Sequence, residues 1–242
     1  FPMIGFGQGW TQNFYGISWE FVDVQNVQQT NDLGYVFFNR CGLIKTDAMG
    51  DRIWMNQDFC AESIDDGLQT LDQGYILVGH DTLIKLDNNG IIQWGKSLQD
   101  DMSGPDAIEQ TLDGGYIITG ETQSYGIGSE NSESNIWLIK TDSYGDTIWT
   151  KIYHNENNQS GWSIQKTTDG GYIICGNESS NFNRKGYLMK INSSGDTIWT
   201  KKYGPNRTYT YSVKQTTDGG YVFCGRTSIT INTNPSNIIY QS

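Results

Sequence analysis

Gln165-Lys166-Thr167-Thr168-Asp169-Gly170-Gly171-Tyr172-Ile173-Ile174-Cys175-Gly176 is followed, after a loop, by Tyr187-Leu188-Met189-Lys190. The copy then runs through Ser194-Gly195-Asp196-Thr197-Ile198-Trp199-Thr200-Lys201-Lys202-Tyr203. Degenerate copies of this unit fill the chain. Its tyrosine recurs at Tyr35, Tyr75, Tyr116, Tyr172 and Tyr221, spaced 40, 41, 56 and 49 residues apart. Its tryptophan recurs at Trp10, Trp54, Trp94, Trp149 and Trp199. Periods of about 40 to 50 residues built from strand-like pieces mark a β-propeller.

Each copy reads as four strands, A to D. Strand A ends at Asp-Gly-Gly, where glycine supplies the positive φ of a tight hairpin. Strand B is a short apolar run without a polar face, as expected of a strand covered on both sides. Strand C carries Leu-Ile-Lys and strand D carries Ile-Trp. The Asp-x-x-Gly-Asp between them, as in Asp142-Ser143-Tyr144-Gly145-Asp146, suits a type I turn with a glycine bulge. It has too few oxygens for the roughly six to eight ligands of calcium.

The ends of the chain complement each other. Gly9-Trp10-Thr11-Gln12-Asn13-Phe14-Tyr15 aligns with the D strand Trp149–Tyr153, and Ser236-Asn237-Ile238-Ile239-Tyr240 aligns with the C strand from Ser134. The last copy therefore lacks only its D strand, which the first residues supply, leaving no open sheet edge. The expected architecture is all-β: a single five-bladed β-propeller over 1–242, with four-stranded antiparallel blades. The blades cover about 17–59, 60–98, 99–154, 155–204 and 205–242, and an N-terminal D strand at about 8–16 closes the ring.

The segment Asp142 to Trp149 resembles the tryptophan-docking repeat of PQQ-like propellers. The fuller Gln-Thr-Thr-Asp-Gly-Gly-Tyr-Ile-Ile and Leu-Ile-Lys-Thr-Asp-Ser-x-Gly-Asp-Thr-Ile-Trp-Thr-Lys pattern resembles repeats of large secreted bacterial surface proteins, most without an assigned activity. Quinoprotein enzymes hold their cofactor with adjacent cysteines and a calcium site of carboxylates. This chain has no Cys-Cys pair, so the cofactor does not carry over and none is expected. Among five-bladed folds, the analogies are tachylectin-like lectins and several glycoside hydrolase families.

Composition narrows the function. The formal net charge is −11, with lysine and arginine scattered, which argues against nucleic-acid and anionic-membrane partners. No apolar stretch approaches the roughly 18 residues of a membrane helix, so no membrane insertion is expected. No charged-then-apolar leader opens the chain, and Phe1 falls directly into the repeat, as expected of a processed start. His80 and His154 are the only histidines, too few for a histidine zinc site. Sequons at Asn158, Asn177, Asn192 and Asn206 are as many as chance gives in so Asn-, Ser- and Thr-rich a chain.

Cys175 and Cys224 share one repeat position, filled elsewhere by Phe38, Val78 and Thr119, and read as buried small side chains. Cys41 begins a third strand and Cys60 ends a fourth. Antiparallel pairing brings those ends together, so a Cys41–Cys60 disulfide is one reading and two free thiols the other. The disulfide would imply an oxidising, extracellular or cell-surface location.

The repeat also filters for function. Lys45, Lys85, Lys140 and Lys190 are equivalent and read as structural, and the repeated tryptophans read as wedges between blades. The B–C loops vary, from His80-Asp81 to the stretch from Glu121 to Glu133, and loops on a rigid scaffold collect binding residues. Ten residues before each repeat tyrosine stand Gln25, Asp65, Asp106, Trp162 and Tyr211, followed by Asn26, Asp66, Ala107, Ser163 and Ser212. Carboxylates Asp65, Asp66 and Asp106 with aromatic Trp162 and Tyr211 suit a sugar held by stacking and by hydrogen bonds to its hydroxyls. The plainer reading has the aromatics pack the crossing loops and the aspartates cap turns.

The expected function is a non-catalytic binding or adhesion module with a glycan or protein ligand. One alternative is a glycoside hydrolase pairing Asp65 or Asp66 with Asp106 or Glu109, at the separations such pairs require. The other is a structural unit of a larger surface assembly.

Overall fold

The computed structural model describes residues 4–6, 10–12, 24–59, 63–98, 102–122, 134–154, 157–180, 183–233 and 237–241. They fall into two compact units, Phe1–Asp100 and Asp101–Ser242. Cys60, most of the long loop after Glu121 and the residues between Gln12 and Val24 lie outside the described residues.

In the first unit β1 (Ile4–Phe6) pairs antiparallel with β2 (Trp10–Gln12). Two four-stranded sheets follow. One holds β3 (Val24–Gln29), β4 (Tyr35–Asn39), β5 (Gly42–Thr46) and β6 (Arg52–Asn56) in sequence order. The other holds β7 (Ile64–Gln69), β8 (Tyr75–Gly79), β9 (Thr82–Leu86) and β10 (Ile92–Ser97).

The second unit repeats the plan. One sheet holds β11 (Met102–Gln110), β12 (Tyr116–Thr122), β13 (Asn135–Thr141) and β14 (Thr147–Tyr153). The next holds β15 (Asn158–Lys166), β16 (Tyr172–Ser180), β17 (Asn183–Ile191) and β18 (Thr197–Tyr203). A two-stranded sheet of β19 (Thr208–Gln215) and β20 (Tyr221–Thr227) comes last, then a hairpin of β21 (Ile229–Thr233) with β22 (Asn237–Gln241). All pairings are antiparallel. Among the described residues no helix is long and apolar enough to cross a membrane.

Burial follows the strand types. The second and third strands are buried along their whole length in β8 and β13, while the outer β14 and β18 hold no buried residue. Covered on both faces, the inner strands need apolar side chains at every position. In the first unit Val36, Phe38 and Leu43 meet Ile64, Tyr75 and Leu77 of the next sheet. In the second, Ile117 and Leu138 meet Ile164, Tyr172 and Ile174.

Trp54, Trp149 and Trp199 dock on the sheet that follows. Trp54 meets Tyr75 edge-on at 5.5 Å, and a Cβ built on Gly90 would lie 2.8 Å from its ring. Trp149 stands in the same relation to Gly195, and Trp199 meets Tyr221 edge-on at 5.8 Å. The turn glycine thus serves two needs: positive φ (79° at both Gly90 and Gly195) and room for the neighbouring indole.

The lysine and the Asp-Gly-Gly turn form one bracket. Lys190, 2 % exposed, donates from Nζ to Asp169 Oδ1 and to the Ile191 carbonyl, both at 3.0 Å. The Thr167 hydroxyl and the Gly171 N–H also donate to Asp169 Oδ1. Lys45–Asp32, Lys85–Asp72 and Lys140–Asp113 repeat it. In the last copy Thr216 and Gly220 bind Asp218 in the same way. The first turn glycine has positive φ at Gly114, Gly170 and Gly219, and Leu33 and Gln73 take that conformation in the first two copies.

Of the cysteines, Cys41 is disulfide-bonded, while Cys175 and Cys224 are free. Cys175 is buried, and burial pushes its thiol up to about 12. Cys224, expected to be buried, is exposed. It lies in a sheet of two strands, without the third strand that covers Cys175 at the equivalent position.

Candidate functional site

The row of residues ten places before each repeat tyrosine has a shared backbone property. The pairing between strands A and B slips between Val24 and Asn26, Ile64 and Asp66, Pro105 and Ala107, Gly161 and Ser163, and Thr210 and Ser212. Gln25, Asp65, Asp106, Trp162 and Tyr211 are therefore each the extra residue of a β-bulge. A bulge leaves one residue out of the ladder and re-aims its side chain, and bulges gather beside binding sites. The repeat fixes the bulge, and the side chain is free to differ.

In the first unit the two aspartates have separate surroundings. Asp65 is half-buried, and burial pushes its carboxyl up, opposed by a hydrogen bond from the His80 N–H and by the charges of Arg40 and His80. Asp66 Oδ1 accepts a 2.7 Å hydrogen bond from Asn26 Nδ2, which also reaches the Gly67 carbonyl at 3.1 Å. Asp66 thus ties β7 to β3.

In the second unit Asp106, Trp162 and Tyr211 sit on β11, β15 and β19, and β15 contacts both of the others. Trp162 and Tyr211 come together: their rings stack at 5.5 Å between centroids and 7° from parallel. Tyr209 joins them, 6.3 Å and 20° from Trp162 and 6.5 Å and 24° from Tyr211. Stacking engages part of each ring, yet Tyr211 remains 43 % exposed. The pair thus packs ring on ring while keeping one face of the cluster open. Asp65 and Asp66 belong to the first unit, and Asp106, Trp162 and Tyr211 to the second.

Sequence reasoning missed what lies next to Tyr209. The Arg184 and Arg226 guanidiniums lie over its ring, 4.9 and 4.6 Å from the centroid. All three residues line a cavity of about 580 Å³ with Asn158, Ser179, Ser180, Asn183, Arg207 and Ser228. The lining comes from β15, β16, β17, β19, β20 and their connections, so no local pattern announces it. Its one sequence signal is that three of the chain's five arginines gather here.

Among the described residues, no group of three or more His, Cys, Asp or Glu side chains could hold a metal ion.

No protein-family model matches the chain, and no curated protein matches its sequence. Its structure is similar to the WD40 β-propeller domain of Doa1, at TM-score 0.61 and 13% identity. That match covers 84% of this chain and 60% of that one, so this chain spans well under two thirds of that propeller's length. It is also similar to virginiamycin B lyase from Staphylococcus aureus, at TM-score 0.53 and 11% identity, over 90% of this chain and 84% of that one. A gluconolactonase from Xanthomonas campestris matches at TM-score 0.51 and 10% identity, over 84% and 69%. At these identities the likeness concerns fold alone. With the four-stranded repeat, it makes this chain a β-propeller repeat protein.

Proposed function

We propose that the chain is a non-catalytic binding module that takes a saccharide on the aromatic cluster of Trp162, Tyr209 and Tyr211. One observation carries this reading: the bulge that recurs in every copy presents two stacked, partly exposed rings in adjacent copies of the second unit. Aromatic faces attract the C–H faces of sugars, and flanking Ser and Asn side chains supply the few polar groups that orient a ligand.

In this reading the repeats are of the tryptophan-docking kind and form one five-bladed domain over 1–242, with the strand at about 8–16 as the last blade's fourth. The bonded state of Cys41 supports an oxidising, extracellular or cell-surface location, with Cys60 as its partner. Thiol counting on the denatured, unreduced chain is then expected to find two of the four cysteines reactive. Four reactive thiols would contradict the disulfide and remove the support for that location.

A glycan-array screen of the purified chain beside Trp162→Ala tests the function. Specific saccharide binding that the variant loses is the expected result, since one stacked ring is worth about 1–3 kcal/mol, or roughly five- to 150-fold. Absence of saccharide binding, with a protein recovered as the ligand, would replace this reading.

A further inference from the structure

We infer that the ligand is an acidic saccharide, whose carboxylate or sulfate group enters the cavity beside Tyr209. This rests on the saccharide reading above and adds the charge of the ligand. Arg184, Arg207 and Arg226 line the cavity, and its other lining residues are Asn158, Ser179, Ser180, Asn183, Tyr209 and Ser228, none of them acidic. Among the described residues none of the three arginines forms an ion pair, although the chain holds 27 acidic residues against 16 basic ones. The buried carboxylate of the same sheet, Glu178, is held by Lys202 and by the amides of Asn157 and Gln159.

Two guanidiniums over one ring lie within about 10 Å of each other, about one Debye length at ordinary ionic strength, so they repel. An anion between them would relieve that repulsion and accept charge-assisted hydrogen bonds in the planar fork geometry of arginine. Tyr209 serves both sites. It carries the two cations and stacks with Trp162 and Tyr211, so a sugar ring on the aromatics would bring an acidic substituent to the arginines.

The third arginine is held at a backbone cost. Arg207 has φ of 63°, a left-handed conformation unfavourable for a bulky residue. Its carbonyl is fixed by the Ser228 N–H at 3.2 Å. Strain of this kind collects at ligand sites.

The test is calorimetric titration of a sulfated or uronic-acid oligosaccharide, and of its neutral counterpart, into the wild type, Arg184→Ala, Arg226→Ala, Arg226→Lys and Trp162→Ala. The acidic sugar is expected to bind the wild type more tightly than the neutral one and to weaken as salt rises. Each alanine variant should lose about tenfold or more, with Arg226→Lys in between and thermal unfolding unchanged. Equal binding of acidic and neutral sugars, lost in Trp162→Ala but kept in Arg184→Ala and Arg226→Ala, would overturn this inference and leave the saccharide reading standing. Arginine-dependent binding of an acidic peptide, with no sugar bound, would overturn the saccharide class. No binding of any probe would overturn both.

Discussion

Gly171→Ala is expected to destabilise the chain by more than about 3 kcal/mol, while Gly170→Ala, one residue earlier, costs only about 1 kcal/mol. A Cβ on Gly171 would lie 2.2 Å from the Ile191 carbonyl oxygen and 2.5 Å from Lys190 Nζ. Both are fixed: the carbonyl accepts from that same ammonium, which also holds Asp169. Relief would require opening the bracket that ties the A–B turn to strand C. At Gly170 a Cβ meets nothing within 4 Å, and only the positive φ of 80° is strained. Denaturant unfolding of the two variants checks the contrast. The same arrangement recurs at Gly34, Gly74 and Gly115, each with the bracket lysine and a strand C carbonyl inside 3 Å of the added carbon, so Gly115→Ala should behave like Gly171→Ala.

Lys190→Met is expected to cost about 2 kcal/mol, against less than about 0.5 kcal/mol for Lys201→Met. Lys190 is buried and donates to two oxygens, the Asp169 carboxylate and the Ile191 carbonyl, each of which would lose one donor. Lys201 is exposed, with its ammonium 5.1 Å over the Trp199 ring. The pH dependence separates the bracket from packing. Hydrogen bonds from Thr167, then Gly171, then Lys190 lower the Asp169 carboxyl from 3.8 to about 2. A group whose folded pKa is depressed contributes stability above its unfolded pKa and loses it as pH falls through the folded one. Stability should therefore fall between about pH 4 and pH 2 in the wild type. Lys190→Met should flatten the part of that fall due to Asp169. Asp113 and Asp32, lowered to about 2 against partial burial by their threonine, lysine and glycine partners, keep the remainder. Urea midpoints across that pH range supply the check.

The fold was legible because its determinants are local and repeated. The Asp-Gly-Gly turn, the lysine in strand C and the strand D tryptophan each answer a need within one sheet or between neighbouring sheets. The lysine's partner was not legible, since Asp169 and Lys190 lie 21 residues apart and nothing in either local pattern names the other. The candidate site divides in the same way. The row from Gln25 to Tyr211 stood out because its residue types vary inside a fixed repeat. Its bulge stayed hidden, because a slip in register is a relation between two strands and leaves no residue signature. The partner of Asp66 was hidden for a similar reason: Asn26 comes from the preceding copy. The arginine cavity draws residues from Asn158 to Ser228, and only folding brings them together.

Ligand binding is placed on the bulge residues Trp162 and Tyr211 of the second unit. Its most direct test compares the affinity of an array-selected saccharide for Trp162→Ala and for Tyr144→Ala. Tyr144 is also an exposed aromatic, 70 % accessible, but it lies in the turn between β13 and β14 and not at a bulge. A loss of roughly tenfold or more is expected at Trp162 and no change at Tyr144. Unchanged affinity at Trp162, or a loss confined to Tyr144, would contradict it.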